Sequence, residues 1–446
     1  MTASSISAPV SPDPSPAEVH DILRRHLITD GLDLVLDLEE SHGAWMRCAR
    51  TGRDFLDCFS YFATNPIGHN HPGVRDPAFV ERLGRVAVHN PSNSDFYTVE
   101  MARFVDTFSS IAIPRSLPHT FFIAGGAVAV GNALKTAFDW KVRKNLAAGK
   151  GERGSQIIHF RQAFHGRSGY TLSLTNTEPM KVAYFPKFDW PRIENPYIRF
   201  PEADHRAETE AAEARAIAAI EAAVAQNPDD IAGLIIEPIQ GEGGDLHFRR
   251  EFFEGLRRLA DEHEFLLIFD EVQTGMGMTG RMWCFEHFGV EPDVLVFGKK
   301  TQVCGILASR RVDQVRDNVF QLPSRINSTF GGNLVDMVRC GRYLEIIEEE
   351  DLIGNAERVG QVILNGLHDL AREAGGRVTS VRGRGLMCAF DLPDTAERDA
   401  FLARAYENRL LILGCGSRSV RVRPNLSLTE AEAGTVLSLI ARSLGP

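Results

Sequence analysis

Two short apolar runs constrain this chain more than any other feature. Phe265-Leu-Leu-Ile-Phe269 has the length and unbroken apolar character of a buried strand, and it ends in Asp270-Glu271-Val272-Gln273-Thr274-Gly275. Asp293-Val-Leu-Val-Phe297 follows and ends in Gly298-Lys299-Lys300. If the two strands are parallel, they deliver an acid and an amine at their carboxyl ends, where open α/β sheets bind ligands.

The alternation of strand and helix extends from about residue 80 to 330. Strands are expected at His119–Ile123, Gln156–Phe160, Ile231–Glu237, Phe265–Phe269 and Asp293–Phe297. Helices are expected at Ala127–Lys141, Ala207–Gln226 and Arg250–His263. The pattern predicts a doubly wound, mostly parallel sheet. From about 334 the texture changes to helices at Leu334–Glu350 and 355–374, then short strands at Gly385–Leu392, Leu410–Leu413 and Val420–Arg423, which predicts a smaller α+β domain. Upstream, Ala17–His26 reads as a short helix, and residues 32–62 alternate like strands around a Gly43 turn. The expected organisation is a disordered tail (1–16), an N-terminal segment packing with the small domain (17–79), a large domain (80–333) and a small domain (334–446).

Composition removes several function classes. A net charge of −10 argues against a nucleic-acid partner. No apolar run has the length to span a bilayer, so no membrane role is expected. Seven dispersed cysteines (Cys48, Cys58, Cys284, Cys304, Cys340, Cys388, Cys415), with no C-x-x-C pair, read as reduced thiols. Thr2 to Pro16 lacks the basic start and apolar stretch of a signal peptide, and a cytoplasmic location is expected.

A lysine amine near a buried aspartate suits pyridoxal phosphate (PLP). The amine bonds to the cofactor aldehyde, and the aspartate keeps the pyridine nitrogen protonated, making the ring an electron sink. Taken singly, each motif has an ordinary alternative. Asp-Glu after a strand caps a helix or binds a metal, Gly-Lys-Lys forms a solvated turn, and Gly125-Gly126-Ala127 is a tight turn. At this spacing, however, the segment resembles the class III aminotransferases, the PLP fold-type I group acting on distal amines. The resemblance runs from about residue 30 to the end.

The resemblance implies a role for each matching residue. Lys300 carries the cofactor and Asp270 faces its ring nitrogen. Gly126 and Ala127 hold the phosphate, Phe164 stacks on the ring, and Gln273 contacts its phenolic oxygen. Asn327-Ser328-Thr329 matches a turn that contacts substrate through Asn327 and reaches the cofactor of a neighbouring subunit through Ser328 and Thr329, which implies a homodimer. Arg167 holds the remote carboxylate of either substrate. Arg421 takes the near carboxylate of 2-oxoglutarate, and Glu242 covers Arg421 during the first half-reaction, the flanking glycines permitting it to swing. Lys300 is expected to serve also as the base that moves the substrate proton, which requires a neutral amine. Two positions depart from the pattern: Gly131 stands where relatives usually carry glutamate, and Ala124 where they carry an acid or serine.

Three stretches, Phe185–Arg192, Lys300–Gly305 and Ser324–Asn333, resemble the branch of this family that acts on L-lysine. The implied reaction moves the ε-amine of L-lysine to 2-oxoglutarate, leaving L-glutamate and 2-aminoadipate 6-semialdehyde. Ornithine or 4-aminobutyrate as donor shares every motif above. Outside the transferases, a PLP aminomutase would need no external oxo acid, so Arg421 and Glu242 argue against it. A PLP-binding protein that has lost catalysis is raised by Gly131. A nucleotide-binding oxidoreductase would have to use Gly241-Glu-Gly-Gly244, which lacks the G-x-G-x-x-G spacing.

Overall fold

The computed structural model describes residues 13–445. The expected tail therefore lies mostly outside the described residues. Its last part, 13–16, is exposed chain ahead of a short helix, Val19–Arg24.

Seven strands form the large sheet: β1 (His119–Ile123), β2 (Gln156–Phe160), β3 (Arg192–Ile193), β4 (Ile231–Ile236), β5 (Leu266–Asp270), β6 (Val294–Phe297) and β7 (Cys304–Ala308). Their order is β1-β7-β6-β5-β4-β2-β3. Every pairing is parallel except those of β7, which is antiparallel to both neighbours. The link from β6 to β7 is too short for a crossover, so β7 must return beside β6 as a hairpin. Parallel strands need crossovers, supplied here by helices such as Gly126–Ala147 and Arg250–Glu262.

The apolar runs have two buried faces because the sheet is covered on both. Leu267, Phe269, Leu295 and Phe297 join one apolar cluster with Phe252, Phe253 and Leu256 of the Arg250–Glu262 helix. Leu266, Ile268, Val294 and Val296 join the other with Ala129, Val130, Ala133, Leu134 and Ala137 of the Gly126–Ala147 helix. The alternation follows from the two-residue period of a strand.

Beyond residue 334, two helices (Leu334–Glu349, Leu352–Glu373) precede a four-stranded antiparallel sheet in the order Thr379–Arg384, Met387–Asp391, Ser419–Val422, Leu413–Cys415. The N-terminal strands Trp45–Arg47 and Asp54–Asp57 pair around the turn 48–53, where Gly52 is left-handed, while left-handed Gly43 lies ahead of them and bridges to His69; Leu410–Leu411 adds to the pair in parallel. The N-terminal segment thus shares a sheet with the C-terminal part of the chain. Among the described residues, no helix is long and apolar enough to cross a membrane.

Candidate active site

Because all strands but β7 point the same way, the turns after β1, β2, β4, β5 and β6 share one edge of the sheet. Those turns hold Gly126, Phe164, Glu242, Asp270 and Lys300. Asp270 is the last residue of β5 and pairs with Val296 of β6, so Lys300 lies just past the same level. Lys300 is 1% exposed, and its Nζ donates to the carbonyls of Gln273 (2.7 Å) and Ala63 (3.5 Å). Burial, then the charges of Lys299 and Arg423, hold its pKa well below the ordinary lysine value. The solvated-turn alternative does not describe such an amine. Lys299 donates to the Phe62 carbonyl at 3.0 Å, and burial followed by the Arg421 charge lowers its pKa to about 8.

Both lysines are thus met by the segment Ser60–Ala63, four consecutive non-glycine residues with φ between 42° and 60°. Each such residue costs about 1–2 kcal/mol. Asp57 holds the turn by accepting the Phe59 and Ser60 N–H groups, while Ser60 Oγ donates to the Arg423 carbonyl. The Phe62 ring then lies 6.0 Å from the Arg421 guanidinium and 5.7 Å from the Lys299 amine.

At the acid end, Asp270 Oδ2 lies 2.7 Å from His165 Nδ1, both residues being buried, and Asp270 Oδ1 accepts the Val272 N–H. His165 fixes the carboxylate, a positioning role the motif alone did not reveal. Next to it, the Glu237 carboxyl accepts the N–H groups of Phe164 and Gly241. Burial and the nearby Asp270 push its pKa well above the usual carboxylate range. Glu271, by contrast, takes the cap role: it accepts the N–H groups of Cys284 and Phe285 and the Thr274 hydroxyl.

The helix after β1 begins at Gly126 behind Gly125, which has φ 98° and caps without a side chain. Its first N–H groups are thus left for an anion, as at other helix starts. Gly166 has φ 110°, and a Cβ there would fall 2.5 Å from Ala127 Cβ, so the Phe164–Arg167 turn lies directly on the helix start. At Gly131 a Cβ would meet nothing within 4 Å, and the helix continues unbroken to Ala147. That departure therefore leaves no packing defect. Ala124 is exposed.

Arg421 is 3% exposed, and its Nη2 lies 3.0 Å from Glu242 Oε2. The other Glu242 oxygen lies 2.6 Å from the Lys181 amine. Burial alone would raise the Glu242 pKa, but Arg421 and Lys181 outweigh it and hold it below the ordinary value. The loop backbone is clamped rather than free. The Glu242 carbonyl accepts the Gly416 N–H, and Arg382 donates to the carbonyls of Gly244 and Asp245. Asp245 in turn pairs with buried Arg423. A Cβ at Gly243 would sit 2.2 Å from the Gln162 carbonyl. Glycine at 243 thus serves the close approach of the loop to the Gln162 carbonyl.

Not all the expected residues converge within one chain. Arg167 is exposed and makes no hydrogen bond or ion pair with another described residue. Asn327 and Thr329 are exposed and Ser328 half-buried; the Ser328 carbonyl accepts the Ser94 hydroxyl. Sequence reasoning also missed Lys181, Glu237 and the Ser60–Ala63 turn. Of the missed residues only His165 carried a signal, its place in the Ala163–Arg167 turn.

These residues fit PLP: a buried amine of lowered pKa, an aspartate oriented by histidine, an aromatic ring and an uncapped helix start meet at one edge. The family model for class III aminotransferases matches residues 29–444, and the chain belongs to that PLP-dependent family. It is 51% identical over 432 residues to the L-lysine-epsilon aminotransferase of Mycobacterium tuberculosis, covering 96% of each chain. It is 49% identical to that of Amycolatopsis lactamdurans, covering 98% of each. The solved lysine aminotransferase from M. tuberculosis superposes with a TM-score of 0.94 at 50% identity, over 97% of this chain and 99% of that one.

Proposed function

We propose that this enzyme transfers the ε-amino group of L-lysine to 2-oxoglutarate, giving L-glutamate and 2-aminoadipate 6-semialdehyde, which cyclises to 1-piperideine 6-carboxylate. The donor follows from near full-length identity to L-lysine-epsilon aminotransferases. The observation that carries the two-substrate reading is the buried Arg421 lying under Glu242.

PLP, when bound, supplies the aldehyde and the ring that takes up the electron pair of the reacting carbon. Lys300 would hold it, with Asp270 at the ring nitrogen, Phe164 on the ring face, Gln273 at the phenolic oxygen and the N–H groups of Gly126 and Ala127 at the phosphate. In the homodimer, Ser328 and Thr329 of a second copy complete the phosphate site and Asn327 contacts substrate. Lys300 Nζ, whose charged form is disfavoured by burial beside other cations, takes the proton from the donor's ε-carbon. Arg167 receives the remote carboxylate; its exposed guanidinium is available for a bidentate pair. While the donor reacts, Glu242 neutralises Arg421. An uncovered arginine would instead favour any molecule with a carboxylate beside its reacting carbon.

Single-turnover absorbance measurements separate the half-reactions. Arg421→Ala should slow reaction of the aminated cofactor with 2-oxoglutarate by on the order of a hundredfold, the scale of a lost charge-assisted pair. Reaction with L-lysine should change far less. Equal impairment of both would make Arg421 merely structural and defeat the two-substrate reading.

A further inference from the structure

Glu242 carries two cations, one on each oxygen, and the two differ in what lies around them. Arg421 is 4% exposed by side chain, whereas Lys181 is 19% exposed and belongs to the short turn Pro179–Lys181 at the rim. The Lys181 amine also lies 5.6 Å from the Phe164 ring and 2.8 Å from Glu178, itself 59% exposed. The contact from Glu242 to Lys181, 2.6 Å, is shorter than its 3.0 Å contact to Arg421.

The proposed reaction, on which the following inference rests, requires Glu242 to leave Arg421 when 2-oxoglutarate arrives. Movement of the loop backbone is opposed by the bonds to the carbonyls of Glu242, Gly244 and Asp245. Turning the side chain breaks none of them. A carboxylate that turned away from Arg421 without another partner would be a half-buried, unpaired charge, which is costly.

We propose that Lys181 is the second anchor of the gate, a positioning residue that holds Glu242 while the oxo acid occupies Arg421. It acts in two ways. In the closed state it divides the carboxylate between two cations and so loosens the hold on Arg421. In the open state it keeps the displaced carboxylate paired. Both effects favour binding of the oxo acid. Neither bears on the donor, which reacts with Arg421 covered. Lys181 therefore acts on the acceptor half-reaction alone, through Glu242 and without touching the reacting atoms.

The test uses the PLP-loaded enzyme and the variants Lys181→Gln and Lys181→Arg, read by single-turnover absorbance in each half-reaction. Lys181→Gln should weaken apparent binding of 2-oxoglutarate by on the order of tenfold, the scale of one charge-assisted hydrogen bond. The rate and saturation with L-lysine should stay within about twofold, a change too small to reflect a lost contact of that kind. Lys181→Arg should restore most of the loss. A titration of PLP against each variant checks that the Phe164 surroundings are intact. Equal slowing of both half-reactions, slowing with L-lysine alone, or no change in either would each overturn the proposal. Failure of the unaltered enzyme to react with L-lysine would instead defeat the donor assignment. The contrast would then be read with whichever distal amine does react.

Discussion

Lys299 and Lys300 are neighbours in sequence whose amines meet different surroundings. Lys300 reaches only carbonyl oxygens in a fully buried space, and burial with the charges of Lys299 and Arg423 outweighs the pull of Glu271 on its charged form. Lys299 is partly exposed and reaches the strained turn at Phe62. A nucleophilic amine must be neutral, and burial beside other cations makes Lys300 the better one. Borohydride reduction of the loaded enzyme followed by peptide mapping should therefore place the cofactor on Lys300. Lys300→Ala should bind PLP without the covalent link and lose transamination by several orders of magnitude. A label on Lys299 would reverse the assignment. At this scale the sequence was legible where a residue sat in a recognisable motif in or near a strand, as Asp270, Lys300 and Arg421 do. Lys181 was not, because its partner is 61 residues away and no spacing connects them.

Among the elements, the start of the Gly126–Ala147 helix depends on the turn packed against it. Gly166 combines a left-handed backbone with a Cβ position that overlaps Ala127. An alanine there must be accommodated by moving the turn, the helix start, or both, at a cost on the order of 2–3 kcal/mol. Gly166→Ala should weaken PLP binding by roughly tenfold or more and lower Tm, as read by PLP titration and thermal melts. An unchanged affinity would show that the two turns do not cooperate. The parallel strands were readable because strands buried on both faces give continuous apolar runs. β7 and the two-residue β3 were not. Cys304–Ala308 follows closely on the lysine turn, and Arg192–Ile193 is two residues long and contains a charge. The Ser60–Ala63 turn was hidden too, since nothing in Ser-Tyr-Phe-Ala predicts a left-handed conformation that only tertiary bonds hold in place.

On the scale of the whole molecule, Asn327–Thr329 lies on one surface with exposed apolar side chains. Phe96, Tyr97 and Val99 are 70–81% exposed. Asn93 and Ser94 bond the chain just before them to Phe330, Gly332 and Ser328. A surface of this kind suits burial against a second copy. If Thr329 acts in trans, a mixed dimer of Lys300→Ala and Thr329→Ala chains contains one intact site. Mixing the two inactive or weakened proteins under exchange conditions should then raise activity above the sum of the parts, towards half the native value per hybrid dimer. No gain on mixing, with subunit exchange verified, would place Thr329 in the site of its own chain.

The clamped backbone beneath Glu242 also has a bearing on time. Loops that close over a substrate move in microseconds to milliseconds and often set the pace of turnover. A single side chain turning on a fixed support moves far faster. If Glu242 guards Arg421 as proposed, it selects the molecule admitted on each pass without waiting on a loop. Selection between two differently charged substrates would then be separated from the speed of the cycle, which is left to chemistry and to the departure of product.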